Sequence, residues 1–189
     1  MKLKATSPQA WLDAVMSDFD AFLLDHASCE KKASGMAMSL LSHYPDKPRL
    51  VRAMTDLALE EMNHFRQVTH LIYDRNLQLG ADRKDNYINE LRGLYRQGKE
   101  HYVVDRLLLA AIIEARGHER FGMIAEALPE GKMKQFYQAI TRSEGKHFEL
   151  FLDLATDFAE QNTLDERLEE LLQQEAEIML KQPPVAALH

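Results

Sequence analysis

The sequence has a single cysteine, Cys29, among its 189 residues. One thiol excludes an intrachain disulfide. It also excludes rubredoxin-like, multi-cysteine zinc and iron–sulfur sites built from this chain alone. No run of about 18 apolar residues is present, so no segment reads as membrane-spanning. The opening Met1-Lys2-Leu3-Lys4-Ala5-Thr6 lacks the apolar stretch of a signal peptide, and a cytoplasmic location is expected. Basic charge is not in excess: the net charge of −7 excludes a globally basic nucleic-acid binder. Glycine is sparse and forms no flavin or nicotinamide fingerprint, so any electrons the chain uses must come from a separate protein. The alternating pattern of half-buried strands is missing as well, which leaves an all-α chain.

What is present is a series of long helical periodicities. Ser7-Pro8 reads as an N-cap and first helical residue opening a short helix through Trp11 and Val15. Four long helices are then expected over about 18–43, 48–77, 101–128 and 132–161. A short linking helix falls within 83–98, and a last helix runs from the capping-box pattern Thr163-Leu164-Asp165-Glu166 to about Lys181. Tyr44-Pro45-Asp46-Lys47-Pro48 and Leu128-Pro129-Glu130-Gly131 are breaks between helices, and Gly80 is expected to terminate the second long helix in the left-handed conformation. The length suits one domain over residues 1–189, with a flexible tail from about residue 182 after Pro183-Pro184.

The long helices share one ordered constellation: Glu30, then Glu61-Met62-Asn63-His64, then Glu114, then Glu144-Gly145-Lys146-His147. The pattern Glu, Glu-x-x-His occurs twice, the carboxylates being 31 residues apart in the first half and 30 in the second. One Glu-x-x-His means little, since roughly one is expected by chance in a chain of this composition. The position of the six residues carries the weight, because all lie on apolar stripes at mid-helix. A buried carboxylate costs several kcal/mol unless neutralised, and four together repel one another. Two divalent cations remove both costs. Glutamate and histidine suit iron or manganese, and the i, i+3 step aims both side chains of each pair at one centre. A dinuclear carboxylate site in a four-helix bundle follows, with Glu30, Glu61, His64, Glu114, Glu144 and His147 as its ligands.

Weaker candidates surround it. His26 and His118 lie four residues from Glu30 and Glu114 on the same faces, as pocket or supporting groups or as satisfied core histidines. Tyr137, seven residues before Glu144, is a redox candidate or a packing tyrosine. Positions two residues from a ligand point out of the bundle at about 100° per residue. Lys32, Arg66, Arg116, Arg142 and Lys146 occupy such positions, and Arg120 extends the face of Arg116. These are either ordinary solvated surface or a local basic face for a polyanion.

The stretches around the ligands carry more information than the ligands do. Asp25-His26-Ala27-Ser28-Cys29-Glu30-Lys31-Lys32-Ala33, Glu60-Glu61-Met62-Asn63-His64-Phe65, Ile113-Glu114-Ala115-Arg116-Gly117-His118-Glu119-Arg120-Phe121 and Arg142-Ser143-Glu144-Gly145-Lys146-His147-Phe148 resemble the non-haem diiron tRNA hydroxylases of the ferritin-like superfamily. Those enzymes act on 2-methylthio-isopentenyladenosine beside the anticodon. Gly117-His118, in place of Ser-Cys, and Gly145 are departures that flank ligands without replacing any.

The resemblance implies a ferritin-like four-helix bundle with the short N-terminal, linking and C-terminal helices as additions. It implies two iron ions and O2 as co-substrate. Glu30 and Glu114 would be terminal ligands, Glu61 and Glu144 would bridge, and His64 and His147 would each bind one iron. The reaction implied is O2-dependent hydroxylation of the isopentenyl group. The partners implied are the tRNA anticodon stem-loop, which Arg116, Arg120, Arg142 and Lys146 would contact, and an external reductase or ferredoxin. No membrane is involved, and a monomer or weak dimer is expected. The competing readings are a ferritin-like iron oxidase or peroxidase, and a diiron hydroxylase of another small apolar substrate such as a quinone precursor.

Overall fold

A computed structural model describes residues Met1–His189. The chain forms seven helices and no strand: α1 (Gln9–Ser17), α2 (Phe19–His43), α3 (Pro48–Asp74), α4 (Asn86–Arg92), α5 (Lys99–Ala127), α6 (Lys132–Ala155) and α7 (Gln161–Lys181). It divides into two compact units. One comprises Asp13–Lys84 with Val185–Leu188, and the other comprises Met1–Leu12 and Asp85–Pro184 with His189.

The first unit is a hairpin of α2 and α3. Asp18 caps α2 by accepting a hydrogen bond from the Ala21 N–H at 3.1 Å, and Pro48 stands at the start of α3, where a missing N–H costs nothing. Phe22, Leu23, Ala37 and Leu40 of α2 and Leu50, Met54, Val68 and Ile72 of α3 are fully buried. Each large side chain contributes about 1.5–3 kcal/mol by leaving water. The Ser34 hydroxyl donates to the Ala58 carbonyl at 2.9 Å, tying the two helices at mid-length. Gly80 does not end α3. Asn76 takes the left-handed conformation instead (φ 58°), and the Leu77 N–H returns to the Ile72 carbonyl at 3.1 Å. Asparagine tolerates that region better than other residues with a Cβ, so the helix stops before the glycine is reached.

In the second unit α5 packs along α6, and α7 lies against α4 and α5. The run Leu107, Leu108, Leu109, Ala110, Ala111 and Ile112 is buried without interruption, so α5 is enclosed on nearly all sides rather than along one stripe. Gly98 (φ 100°) precedes α5, and Gly131 (φ 154°) precedes α6. The expected capping box at Thr163 is not used, because α7 already begins at Gln161. Ser7 does not cap α1 with its side chain; its N–H and hydroxyl donate to the Glu119 carboxylate at 3.0 and 2.8 Å. The tail expected to be flexible ends in contacts. The Leu188 N–H donates to Asp25 at 2.8 Å, and the His189 ring stacks on Tyr87.

Candidate metal centre

In the α2–α3 unit, Glu30 from α2 and Glu61 and His64 from α3 are all buried. The i, i+3 step brings His64 Nδ1 to 3.4 Å from Glu61 Oε2, and the helix pairing brings it to 3.7 Å from Glu30 Oε2. His26, one turn before Glu30 and fully buried, places Nε2 2.5 Å from Glu30 Oε1. Burial alone would raise the Glu30 pKa, but the hydrogen bond and charge of His26 and the bonds from His64 and Glu61 hold it well below the usual carboxylate range. Burial alone would lower the His64 pKa, but its bonds with Glu30 and Glu61 outweigh that and lift it to about 10.

The other unit repeats the arrangement on α5 and α6. Glu114, Glu144 and His147 are buried, and His147 Nδ1 lies 3.2 Å from Glu144 Oε2 and 3.8 Å from Glu114 Oε2. In each unit the same imidazole nitrogen faces the same two carboxylates. The internal repeat of the sequence is therefore a repeat of geometry. Two carboxylates and one imidazole, buried and converging, fit a first-row divalent cation such as iron. A cation there offsets the cost of keeping the carboxylates ionised away from water.

The residues around these sets separate into two groups. His26 supports Glu30 directly. The partly buried His118 places Nδ1 2.7 Å from the Thr141 carbonyl, so that nitrogen carries the proton. Its ring occupies the space over Gly145, where an added Cβ would lie 3.1 and 3.2 Å from His118 Nδ1 and Cε1. The two sequence departures, at 118 and 145, are thus one steric fit between α5 and α6. Tyr137 is fully buried beside Phe121 and Phe136, with ring centroids at 5.8 and 5.1 Å.

Two of the expected RNA contacts are not on the surface. Arg116 is fully buried, with Nε and Nη2 2.9 and 3.0 Å from the Glu175 carboxylate, Nη1 3.0 Å from the Ala5 carbonyl, and a further ion pair to Glu119. Arg120 is buried too; its Nε donates to the Ser7 hydroxyl at 2.9 Å and its guanidinium lies 4.6 Å over the Trp11 ring. Burial, with the charge of Arg116 as a smaller contribution, lowers its pKa to about 10. The outward direction holds for a helix covered on one side only, whereas α7 and the segment from Ala5 to Trp11 cover that side of α5. Arg142, Lys146, Lys32 and Arg66 are exposed as expected. Glu175 was missed, although a glutamate on the apolar stripe of α7 between Leu171, Leu172 and Met179 is the same kind of signal that marked the ligands.

Paired Glu/Glu/His sets on long helices, in a chain without strands, define an all-α protein of the ferritin-like class. Comparison with known proteins narrows that class. The family model described as tRNA-(MS[2]IO[6]A)-hydroxylase (MiaE) matches residues 1–189. A tRNA 2-(methylsulfanyl)-N(6)-isopentenyladenosine(37) hydroxylase of Pseudomonas putida is 34% identical over 96% of this chain and 87% of that protein. The Salmonella typhimurium protein of the same name is 29% identical over 80% of this chain and 59% of its own length. Among solved structures, a Synechococcus protein described as having aldehyde deformylating oxygenase activity superposes with a TM-score of 0.93 at 33% identity, over 99% of this chain and 94% of that one. The chain belongs to the tRNA-(MS[2]IO[6]A)-hydroxylase family.

Proposed function

We propose that the protein is an O2-dependent diiron monooxygenase that hydroxylates the isopentenyl group of 2-methylthio-isopentenyladenosine in tRNA. The observation that carries the reading is the family match over the whole chain together with two buried Glu/Glu/His sets of like geometry. Glu30, Glu61, His64, Glu114, Glu144 and His147 would hold two iron ions. Four carboxylates balance two divalent cations in charge, which suits a site withdrawn from water. When bound, the iron pair supplies two-electron reduction of dioxygen and insertion of one oxygen atom into a C–H bond. The chain's own residues hold and orient. His26 fixes one oxygen of Glu30 and leaves the other toward His64, and the buried helix faces keep water away from the carboxylates.

The electrons come from a separate reductase or ferredoxin, since the chain carries no redox-cofactor fingerprint of its own. The protein acts in the cytoplasm as a monomer or weak dimer. No helix is long and apolar enough to cross a membrane. The Synechococcus neighbour favours one second reading, an oxygenase acting on an aldehyde. Mass analysis of tRNA nucleosides from cells lacking and regaining the protein separates the two. Loss and recovery of the hydroxyisopentenyl nucleoside supports the tRNA reading, and an unchanged nucleoside profile overturns it.

A further inference from the structure

Burial of Arg116 and Arg120 removes them from any RNA-facing surface, and the α2–α3 unit offers cations with free ends elsewhere. A hollow of about 180 Å³ opens between α2 and the segment that follows α3. Leu24, Phe65 and Leu79 give it an apolar wall, while Ser28, Lys31, Arg83 and the carboxylates of Asp25 and Asp82 contribute polar lining. The following segment is pinned to α2. Asp82 Oδ1 accepts from the Ser28 hydroxyl and from Lys31 Nζ, both at 2.8 Å, and Lys32 Nζ donates to the Arg83 carbonyl at 3.4 Å. Lys31, Lys32, Arg83 and Lys84 are all exposed. The charged ends of Arg83 and Lys84 make no hydrogen bond or ion pair. An apolar wall with an aromatic ring, beside a rim of cations on a fixed backbone, matches the two faces of a nucleotide: a base that stacks and a phosphate that needs positive charge.

We propose that this hollow and its rim seat one nucleotide of the RNA substrate other than the one that reacts. Its base lies against Leu24, Phe65 and Leu79, and its flanking phosphates lie on Arg83 and Lys84. The inference rests on the tRNA reading above. It places an anchor on α3, with Phe65 the residue after His64, so that RNA held there is held by the helix that carries two of the three residues of one ligand set.

The test measures binding of an isopentenylated anticodon stem-loop RNA to the iron-loaded protein as a function of salt. Arg83→Gln with Lys84→Gln removes two charges that hold nothing in the fold. Affinity should fall several-fold, and the slope of log affinity against log salt should flatten by roughly one to two, somewhat under one per phosphate contact. Ala81→Trp, at an exposed lining residue, should fill the hollow and weaken binding with the slope unchanged. Arg142→Gln with Lys146→Gln on α6 is the comparison pair and should have the smaller effect. An unchanged slope in the Arg83/Lys84 variant, or a larger loss in the α6 pair, overturns the phosphate assignment. Unchanged affinity in Ala81→Trp overturns the seat for the base. Competition by AMP as strong as by the RNA would replace the RNA strand by a free nucleotide. Conversion of the free isopentenyl nucleoside is followed in parallel. Its absence in the wild type would count against the reaction itself, whereas unchanged binding by the variants counts against this site alone.

Discussion

Glu175→Leu tests most severely why α5 stands where it does. The Glu175 carboxylate is fully buried and accepts from Arg116 at 2.9 and 3.0 Å and from the Tyr87 hydroxyl at 2.9 Å. Leucine is close in volume, so no large cavity opens. The change removes the two-point partner of a buried guanidinium, leaving it Glu119, the Ala5 carbonyl and a long contact to the Ser7 hydroxyl. Breaking a buried pair by removing one partner costs about 3–5 kcal/mol. At about 2–4 °C per kcal/mol for a chain of this size, the melting temperature should fall by about 6–20 °C. Replacing both partners, Arg116→Met with Glu175→Leu, removes the stranded charge and should recover most of the loss. Differential scanning calorimetry on the three proteins decides it. A fall of less than about 2 °C for Glu175→Leu would refute the assignment of Arg116 as a structural cation. A double variant with wild-type stability but lost RNA affinity would return Arg116 to the RNA-binding surface.

Three further outcomes are expected. Glu61→Ala or Glu144→Ala should lose iron while circular dichroism keeps its helical signal, because the packed stripes hold the helices; full iron content in both would refute the ligand assignment. Gly145→Ala brings a methyl group to 3.1 Å from the His118 ring, so the roughly 1 kcal/mol that alanine gains over glycine inside a helix should be withheld while His118 stands and appear once His118→Ala is added; the same gain with and without His118 in denaturant titrations would deny the fit. Burial raises the Asp105 pKa, but hydrogen bonds from Arg96 and Arg167 outweigh it and hold the carboxyl below its ordinary value. A depressed native pKa contributes stability above the unfolded value of about 4 that is lost as pH falls through the native one. Asp105→Asn should therefore be destabilised by about 3 kcal/mol near pH 7, with its deficit against wild type shrinking in acid. A deficit that grows below pH 4 would contradict the sign.

The parts legible in the sequence share a physical cause: a residue at odds with its helix face. Glu30, Glu61, Glu114 and Glu144 stand on apolar stripes, and the structure buries each with a histidine beside it. Helix existence was legible from the same periodicity, and the ends were not. Asn76 took the terminating role expected of Gly80, and α7 starts ahead of its Thr163 capping pattern. Phase arithmetic placed Arg116 and Arg120 outside because it treats a helix as having one covered side. What covers the other side of α5 comes from residues more than 50 positions away, such as Glu175, or more than 100, such as Ser7. No local window contains that information. The hollow beside Ser28 was illegible for a related reason, since Asp82 and Lys31 meet only through the path of the chain after α3.

Isotope labelling reaches the oxygen-insertion step itself. Iron-loaded protein, an external reductant and isopentenylated tRNA are incubated under 18O2, and the digested nucleosides are weighed. One added oxygen on the isopentenyl group, carrying the label from O2, is the expected product. A product labelled only from water, or consumption of reductant and O2 with every nucleoside mass unchanged, would contradict it.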